Sequence, residues 1–230
     1  MSELVGPTEI TPGLPTSPAG GEGWTVDLLE GLPDDGLRYE MMDGLLIVHP
    51  PAGEEWTVDL LERLPDDGLQ CEIIDGLLIV SPPPEPRQRL ASGRLHRILE
   101  ANCPDDSAVV VAPLVWQPDR RTSLQPDLLV VAKDRRGEKT ITETPVLVVE
   151  VLSPSSSRYD RTMKLSRYAE AVIPQYWIVD PLSVNQVRPS IEVYDLDDTG
   201  IYRLIARSED DREISVTGPI PVTVAASALV

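Results

Sequence analysis

The apolar positions of this chain fall into short runs separated by acidic or Pro-rich turns, and the first of these patterns occurs twice. Residues 24–51, WTVDLLEGLPDDGLRYEMMDGLLIVHPP, return at residues 56–83 as WTVDLLERLPDDGLQCEIIDGLLIVSPP, with 22 of 28 positions identical at an offset of 32. Each copy predicts a short helix ending at Leu-Pro, then an acidic turn, then two strands joined at Asp43-Gly44 or Asp75-Gly76. Asp-Gly between apolar runs signals a hairpin, because both residues tolerate the positive φ that a tight turn needs. Two copies are too few for a solenoid and point to duplication of one supersecondary unit. The extra copy could pack as an added layer, swap into a neighbouring subunit or hang loosely.

Downstream, Leu90, Leu95, Ile98 and Leu99 recur at helical spacing over 86–101, with Arg87, Arg89, Arg94 and Arg97 around them. This predicts an amphipathic helix with a basic outer surface. Runs 108–116 and 127–132 read as strands, and 145–152, PVLVVEVL, as a buried central strand, being short, β-branched and continuously apolar. Helical spacing returns over 158–171, QYWIVD at 175–180 is a further strand, and IEVYDL and IYRLIA form a hairpin across 197–200. The order predicts an α/β fold with a mixed β-sheet flanked by helices. Its expected organisation is a disordered leader over 1–22, rich in Pro, Gly, Ser and Thr, an extra N-terminal duplicated helix–hairpin unit over 23–52, and the main domain over 53–230.

Composition is that of a globular protein, 41% hydrophobic and 25% charged. No apolar run is long enough for a membrane span and the start lacks a signal pattern, so a cytoplasmic location is expected. Cys71 and Cys103 have neither disulfide-scaffold nor metal-ligand spacing, and His49 and His96 are too few for a histidine-rich zinc site. The formal charge of −18 is unevenly spread. Residues 1–84 carry 17 acidic and 2 basic side chains, whereas 85–167 carry 14 basic and 11 acidic. Local charge governs the docking of a polyanion, so a phosphate-binding surface in the middle of the chain is compatible with the overall acidity.

Three residues stand out chemically. Glu150 lies inside Val-Leu-Val-Val-Glu-Val-Leu, where an unpaired carboxylate is heavily penalised. A metal, a cation or a cleft must compensate it, the plainer alternative being a strand-end Glu that reaches solvent or an Arg. Asp127 follows Pro126 at the start of a strand. Alone the dipeptide means little, since Pro-Asp recurs at Pro33, Pro65, Pro104 and Pro118. Lys164 is one of 3 Lys against 17 Arg, and a compact ammonium can serve a water or phosphate oxygen where Arg cannot. The competing reading is a solvated helix lysine. Asp127 and Glu150 on adjacent strands, with Lys164 beside them, would make a divalent-metal site suited to Mg2+ or Mn2+.

At these residues the sequence resembles the Uma-two restriction-endonuclease-like proteins of the PD-(D/E)XK nuclease superfamily. The resemblance is carried by CEIIDGLLIVSPPP, QPDLLVV and PVLVVEVLSPSSSRYDRTMKLSRYAEAVIPQYWIVDP, and extends over about residues 56–229. It implies a restriction-endonuclease-like fold and metal-dependent cleavage of DNA phosphodiesters, with Asp127 and Glu150 as metal ligands. The superfamily's lysine two residues after the Glu is absent, since Leu152 stands there, and the resemblance transfers its role to Lys164. Glu72 sits where the family commonly has an acidic residue and is a fourth candidate, against an exposed hairpin Glu. The family's His-Gln pair at the first long helix is here Arg87-Gln88. Arg158 and Arg161 either touch phosphate or are solvated, Tyr176 and Trp177 are expected in the core, and the serines after Val151 read as a loop, having no nearby His as base.

Two functions follow. One is a Mg2+-dependent endodeoxyribonuclease acting on DNA, a homodimer being the arrangement that gives two sites for two strands. The other is a nuclease-fold protein without catalysis, used for binding or assembly. A small-molecule hydrolase has no support, there being no glycine-rich phosphate loop, Gly-x-Ser-x-Gly elbow or zinc signature.

Overall fold

The two repeat copies fold alike. The first gives α1 (Val26–Glu30), β1 (Arg38–Met42) and β2 (Leu45–His49), and the second α2 (Val58–Leu61), β3 (Gln70–Ile74) and β4 (Leu77–Ser81). Both turns have the expected geometry, with φ of 51° at Asp43 and Asp75 followed by 94° at Gly44 and 81° at Gly76. The structure, a computed structural model, describes residues 23–32, 34–64, 68–182 and 188–230. The leader expected over 1–22 lies outside the described residues.

The long helix α3 (Pro86–Ala101) begins at a capping box in which Gln88 returns a side-chain bond to the Glu85 backbone. Its buried stripe is Gln88, Ala91, Ser92, Leu95 and Leu99. Leu90, expected on that stripe, is instead 47% exposed, because the helix buries the row one position further on. Next come β5 (Ser107–Val111), β6 (Val115–Asp119), β7 (Thr122–Leu124), β8 (Leu128–Ala132), β9 (Thr140–Ile141) and β10 (Leu147–Val151). The run 108–116, expected as one strand, is divided between β5 and β6, which belong to different sheets. Pro113 lies in the break and has no N–H to give a ladder.

After β10 the chain forms α4 (Ser157–Tyr159), a π-helical turn (Asp160–Lys164) and α5 (Leu165–Glu170). The strands β11 (Gln175–Asp180), β12 (Ser190–Leu196), β13 (Tyr202–Glu209), β14 (Glu213–Val216) and β15 (Val222–Ala225) follow, and a 3-10 turn (Ala226–Leu229) comes last.

The α/β fold with mixed sheet and flanking helices is as expected, its strands divided between two large sheets in the orders β1-β2-β4-β3-β7-β6-β9 and β13-β12-β11-β10-β8-β5, beside the β14-β15 ribbon. The second is mixed: β10 is parallel to β11 and antiparallel to β8. Alternation along its strands separates two cores. Leu128, Val130, Leu147, Val149 and Val151 pack with Ala91, Leu95 and Leu99 of α3. Leu129, Val131, Val148 and Ile178 face Ile74, Ile79 and Leu45 of the other sheet and Tyr159 and Tyr168 of the helical segment. A third cluster, on the far side of the repeat hairpins, gathers Trp24, Trp56, Leu46, Val48, Leu78 and Val80. The candidate chemistry lies at the end of the second core, between the sheets. Among the described residues no helix is long and apolar enough to cross a membrane.

Candidate active site

The antiparallel register of β8 and β10 pairs Leu147 with Val130, Val148 with Leu129 and Val149 with Leu128. One step further along β10 is Glu150, which projects to the same face as Val148, while Asp127 immediately precedes β8. That face is the one turned to the other sheet, since Val148 and Leu129 belong to the core between the sheets. Glu72 comes from β3 with the same parity as Ile74 and points into the same space. Lys164 ends the π-helical turn that Asp160 opens, and both side chains are buried. A π turn holds about one residue more than an α turn, and such turns recur at functional sites.

These side chains converge. Lys164 Nζ lies 3.0 Å from Glu72 Oε1, 3.0 Å from Glu150 Oε1 and 3.5 Å from Asp160 Oδ1. It also stands 5.2 Å from the centre of the Tyr159 ring, within cation–π range. Glu72, Glu150, Asp160 and Lys164 are 4%, 3%, 2% and 4% exposed, so the exposed alternatives for Glu72, Glu150 and Lys164 fall. Tyr168 donates its hydroxyl to Glu150 Oε1 at 2.6 Å, and the Gln125 backbone N–H donates to Glu72 Oε1 at 2.6 Å. Asp127 accepts from the Val151 N–H at 2.8 Å and from the Ser92 hydroxyl at 3.3 Å. Gln88 donates its amide to the Val151 carbonyl at 2.9 Å, so this half of the missing His-Gln pair does reach the site. All five ionisable groups line one pocket with Gln88, Gln125 and Leu45.

The electrostatics follow from four carboxylates around one ammonium. Burial raises the proton affinity of Asp127, pushing its pKa up to about 7 against the opposing pull of the Val151 N–H and Lys164. Burial likewise holds Glu150 well above the ordinary carboxylate range, with Asp160, Asp127 and Glu72 adding to the shift and Lys164 opposing it. Asp160 is raised in the same way. Burial alone would lower Lys164, but Glu150, Glu72 and Asp160 outweigh it and hold the ammonium protonated well above its usual range.

The donor set fits a hard divalent cation. It holds more buried carboxylate than the single ammonium neutralises, and Asp160 Oδ1 is buried with no hydrogen bond. Hard oxygen donors are what Mg2+ and Mn2+ take, commonly one or two carboxylates completed by water. Among the described residues no group of three or more His, Cys, Asp or Glu stands in metal-holding geometry.

Asp160 and Tyr168 join the site although the sequence pattern does not single them out. Both are legible in hindsight, four residues before and after Lys164, on one helix face. Arg158 and Arg161 do not line this pocket: Arg158 pairs with Asp43 of the first repeat copy at 2.8 Å, and Arg161 with Glu192. Glu40, the counterpart of Glu72, lies on the outer strand at 3.5 Å from Arg38 and 3.2 Å from His49, with no lysine. The serines form a loop, the Ser153 N–H donating to the Ser156 hydroxyl at 3.1 Å and the Ser156 N–H to the Ser153 hydroxyl at 3.0 Å. Tyr176 and Trp177 are fully buried, as expected.

Residues 58–228 match the model of the Uma2 family, described as "Putative restriction endonuclease". The chain belongs to this family. A curated relative, "Uncharacterized protein slr1290" of Synechocystis sp. (strain ATCC 27184 / PCC 6803 / Kazusa), is 37% identical over 89 residues, which are 38% of this chain and 44% of that protein. The chain thus spans less than half the length of this relative. Among solved structures, the fold is similar to that of a protein from Anabaena variabilis ATCC 29413 described as "a putative nuclease belonging to DUF820". The TM-score is 0.55 at 19% identity, covering 70% of this chain and 88% of that one. The mixed α/β architecture of this Uma2 chain is accordingly a restriction-endonuclease-like nuclease fold.

Proposed function

We propose that this chain is a metal-dependent endonuclease that hydrolyses DNA phosphodiester bonds, with Asp127 and Glu150 holding Mg2+ (or Mn2+) and Lys164 supporting the attacking water or the phosphate. The observation that carries the reading is the convergence of Lys164 on Glu72, Glu150 and Asp160 beside Asp127 in one pocket. When bound, the cation supplies polarisation of a phosphoryl oxygen and a more acidic water. The protein's own groups prepare the rest. The Val151 N–H and the Ser92 hydroxyl hold Asp127, and the Tyr168 hydroxyl holds Glu150. Lys164 keeps its proton because its carboxylate neighbours outweigh burial, so it acts as a donor to phosphoryl oxygen rather than as a base. Asp160, whose Oδ1 stands 3.5 Å from Lys164 and whose proton affinity is raised by burial, is the protein's acceptor for a proton from water.

Incubation of the purified protein with supercoiled plasmid and Mg2+ or Mn2+ tests the reading. Nicking or linearisation is expected, and Asp127→Ala, Glu150→Ala and Lys164→Ala should each abolish it. Cutting that persists in Glu150→Ala refutes the assignment.

One observation favours a second reading, a binding or assembly module without catalysis: Glu150 Oε1 is already engaged by both Lys164 and Tyr168. Calorimetry separates the two. Mg2+ or Mn2+ heat at millimolar concentration supports the nuclease, and its absence together with uncut plasmid supports the module.

A further inference from the structure

The two repeat copies are joined by a local two-fold relationship. β2 and β4 are antiparallel neighbours with Leu46 opposite Val80, Ile47 opposite Ile79 and Val48 opposite Leu78. With the repeat offset of 32, Ile47 and Ile79 are equivalent positions, and the other two pairs exchange under the same operation. The rest of each unit obeys it as well. Trp24 N–H donates to the Gly44 carbonyl at 2.9 Å as Trp56 N–H donates to that of Gly76 at 3.1 Å, and both indoles are buried in one shared cluster. Such pairing of a patch with its own counterpart is how a two-fold dimer interface is built.

The differences between the copies point the same way. LLIV is unchanged in β2 and β4, the strands that pair with each other, whereas four of the six differing positions lie on β1. β3 pairs with β7 on its outer side, and its Ile73 and Ile74 are buried. β1 is the last strand of its sheet; there Met41 and Met42 replace the isoleucines and are half-buried. Arg38 and Tyr39 replace Gln70 and Cys71, and Arg38 NH2 stands 3.1 Å from His49 Nδ1. Charge on an outer strand is a guard against further pairing.

The first copy also walls the pocket. Leu45 lines it, Asp43 pairs with Arg158, and the Asp43-Gly44 turn presses so close to the serine loop that a Cβ on Gly44 would stand 3.3 Å from Ser155 Cβ.

We propose that residues 23–49 supply within the chain what a second copy would otherwise supply: the strand that covers the β4 edge, and the side wall of the pocket. In their absence the two-fold operation sets β4 against the β4 of a second copy, centred on Ile79, and brings that copy's second hairpin to the place of the first. The partner segment would be the equivalent Asp-Gly turn and the leucine after it. This goes beyond the nuclease reading and does not depend on cleavage.

The test uses the full chain. Leu46→Asp with Val48→Asp places two carboxylates in the shared cluster and unseats β2, and Ile79→Cys reports the register. The parent chain is expected to run as a monomer by light scattering, and its Ile79→Cys form to give no cross-linked dimer, since Ile47 faces that position. The Leu46→Asp/Val48→Asp chain is expected to show a twofold rise in mass and to cross-link through Ile79→Cys. A peptide of residues 23–51 should return it to the monomer mass. A folded variant that remains monomeric, or a dimer that cross-links no better than the same chain without Ile79→Cys, overturns the proposal. Should the two aspartates prevent folding, the otherwise unaltered chain can be cut at a protease site inserted between Ala52 and Gly53. The cut chain, stripped of the first copy by gel filtration in mild urea, must then double its mass, and a stripped body that is folded and monomeric overturns the proposal equally.

Discussion

The Lys164 ammonium donates to Oε1 of Glu150 across 3.0 Å, joining the middle of a buried strand to a helix fourteen positions further along the chain. Both groups are buried, and each would be costly without the other. Removing one member of a buried pair leaves the other uncompensated, typically at about 3–5 kcal/mol. Here Glu72 and Asp160 would be stranded too. Lys164→Met should therefore destabilise the fold by about 3 kcal/mol or more, read from urea unfolding at pH 8. The loss should shrink as pH falls and the carboxyls take up protons.

The raised pKa of Asp127 sets a second expectation. Its carboxyl holds a proton up to about 7 in the folded chain, against 3.8 ordinarily. Between these values the folded state binds more protons than the unfolded one, so this group makes stability fall as pH rises. Its contribution is fully lost above the folded value. Comparing thermal unfolding of the parent and Asp127→Asn without divalent ions checks this. The parent should lose more of its melting temperature than the variant between pH 4 and pH 7, and added Mg2+ should offset that loss.

In the proposed nuclease, Tyr168 acts through Glu150. Its hydroxyl bond to Oε1 is 2.6 Å and its ring packs 5.6 Å from that of Trp116. Tyr168→Phe keeps the packing and deletes the bond. Loss of a partner that orients a metal ligand typically costs about 10–100-fold in metal affinity or activity. A Mg2+ titration of cleavage should show the midpoint moved upward, with rate recovered at high Mg2+; an unchanged midpoint would limit the hydroxyl to a structural role.

The two arginines following the serine loop should separate. Arg158 and Asp43 are largely solvent-facing, and exposed pairs contribute roughly 0–1 kcal/mol. Arg161 meets Glu192, which is buried and also accepts from Tyr194 at 2.9 Å. Denaturant midpoints should therefore show Arg161→Ala as the more damaging substitution, with Arg158→Ala close to the parent.

Sequence alone determined the local parts of this protein. Apolar spacing outlined α3, Asp-Gly set both hairpin turns, and the β-branched run around Glu150 marked a central strand, because each depends on neighbours a few residues apart. Glu150 stood out as a carboxylate at odds with its immediate surroundings, Asp127 by its place after Pro126 at the start of a strand, and Lys164 by the rarity of lysine. Tertiary structure decided what those residues meet. Glu72 became a partner of Lys164 only when β3 was laid beside β7 and faced β10 across the core, and Asp160 acquired its role only in a π turn that aims it inward. The split of 107–119 between two sheets and the pairing of Ile47 with Ile79 likewise rest on long-range register. Strand edges offer the same backbone groups to any partner, so burial of side chains across the assembled sheets, rather than local propensity, selects among the registers.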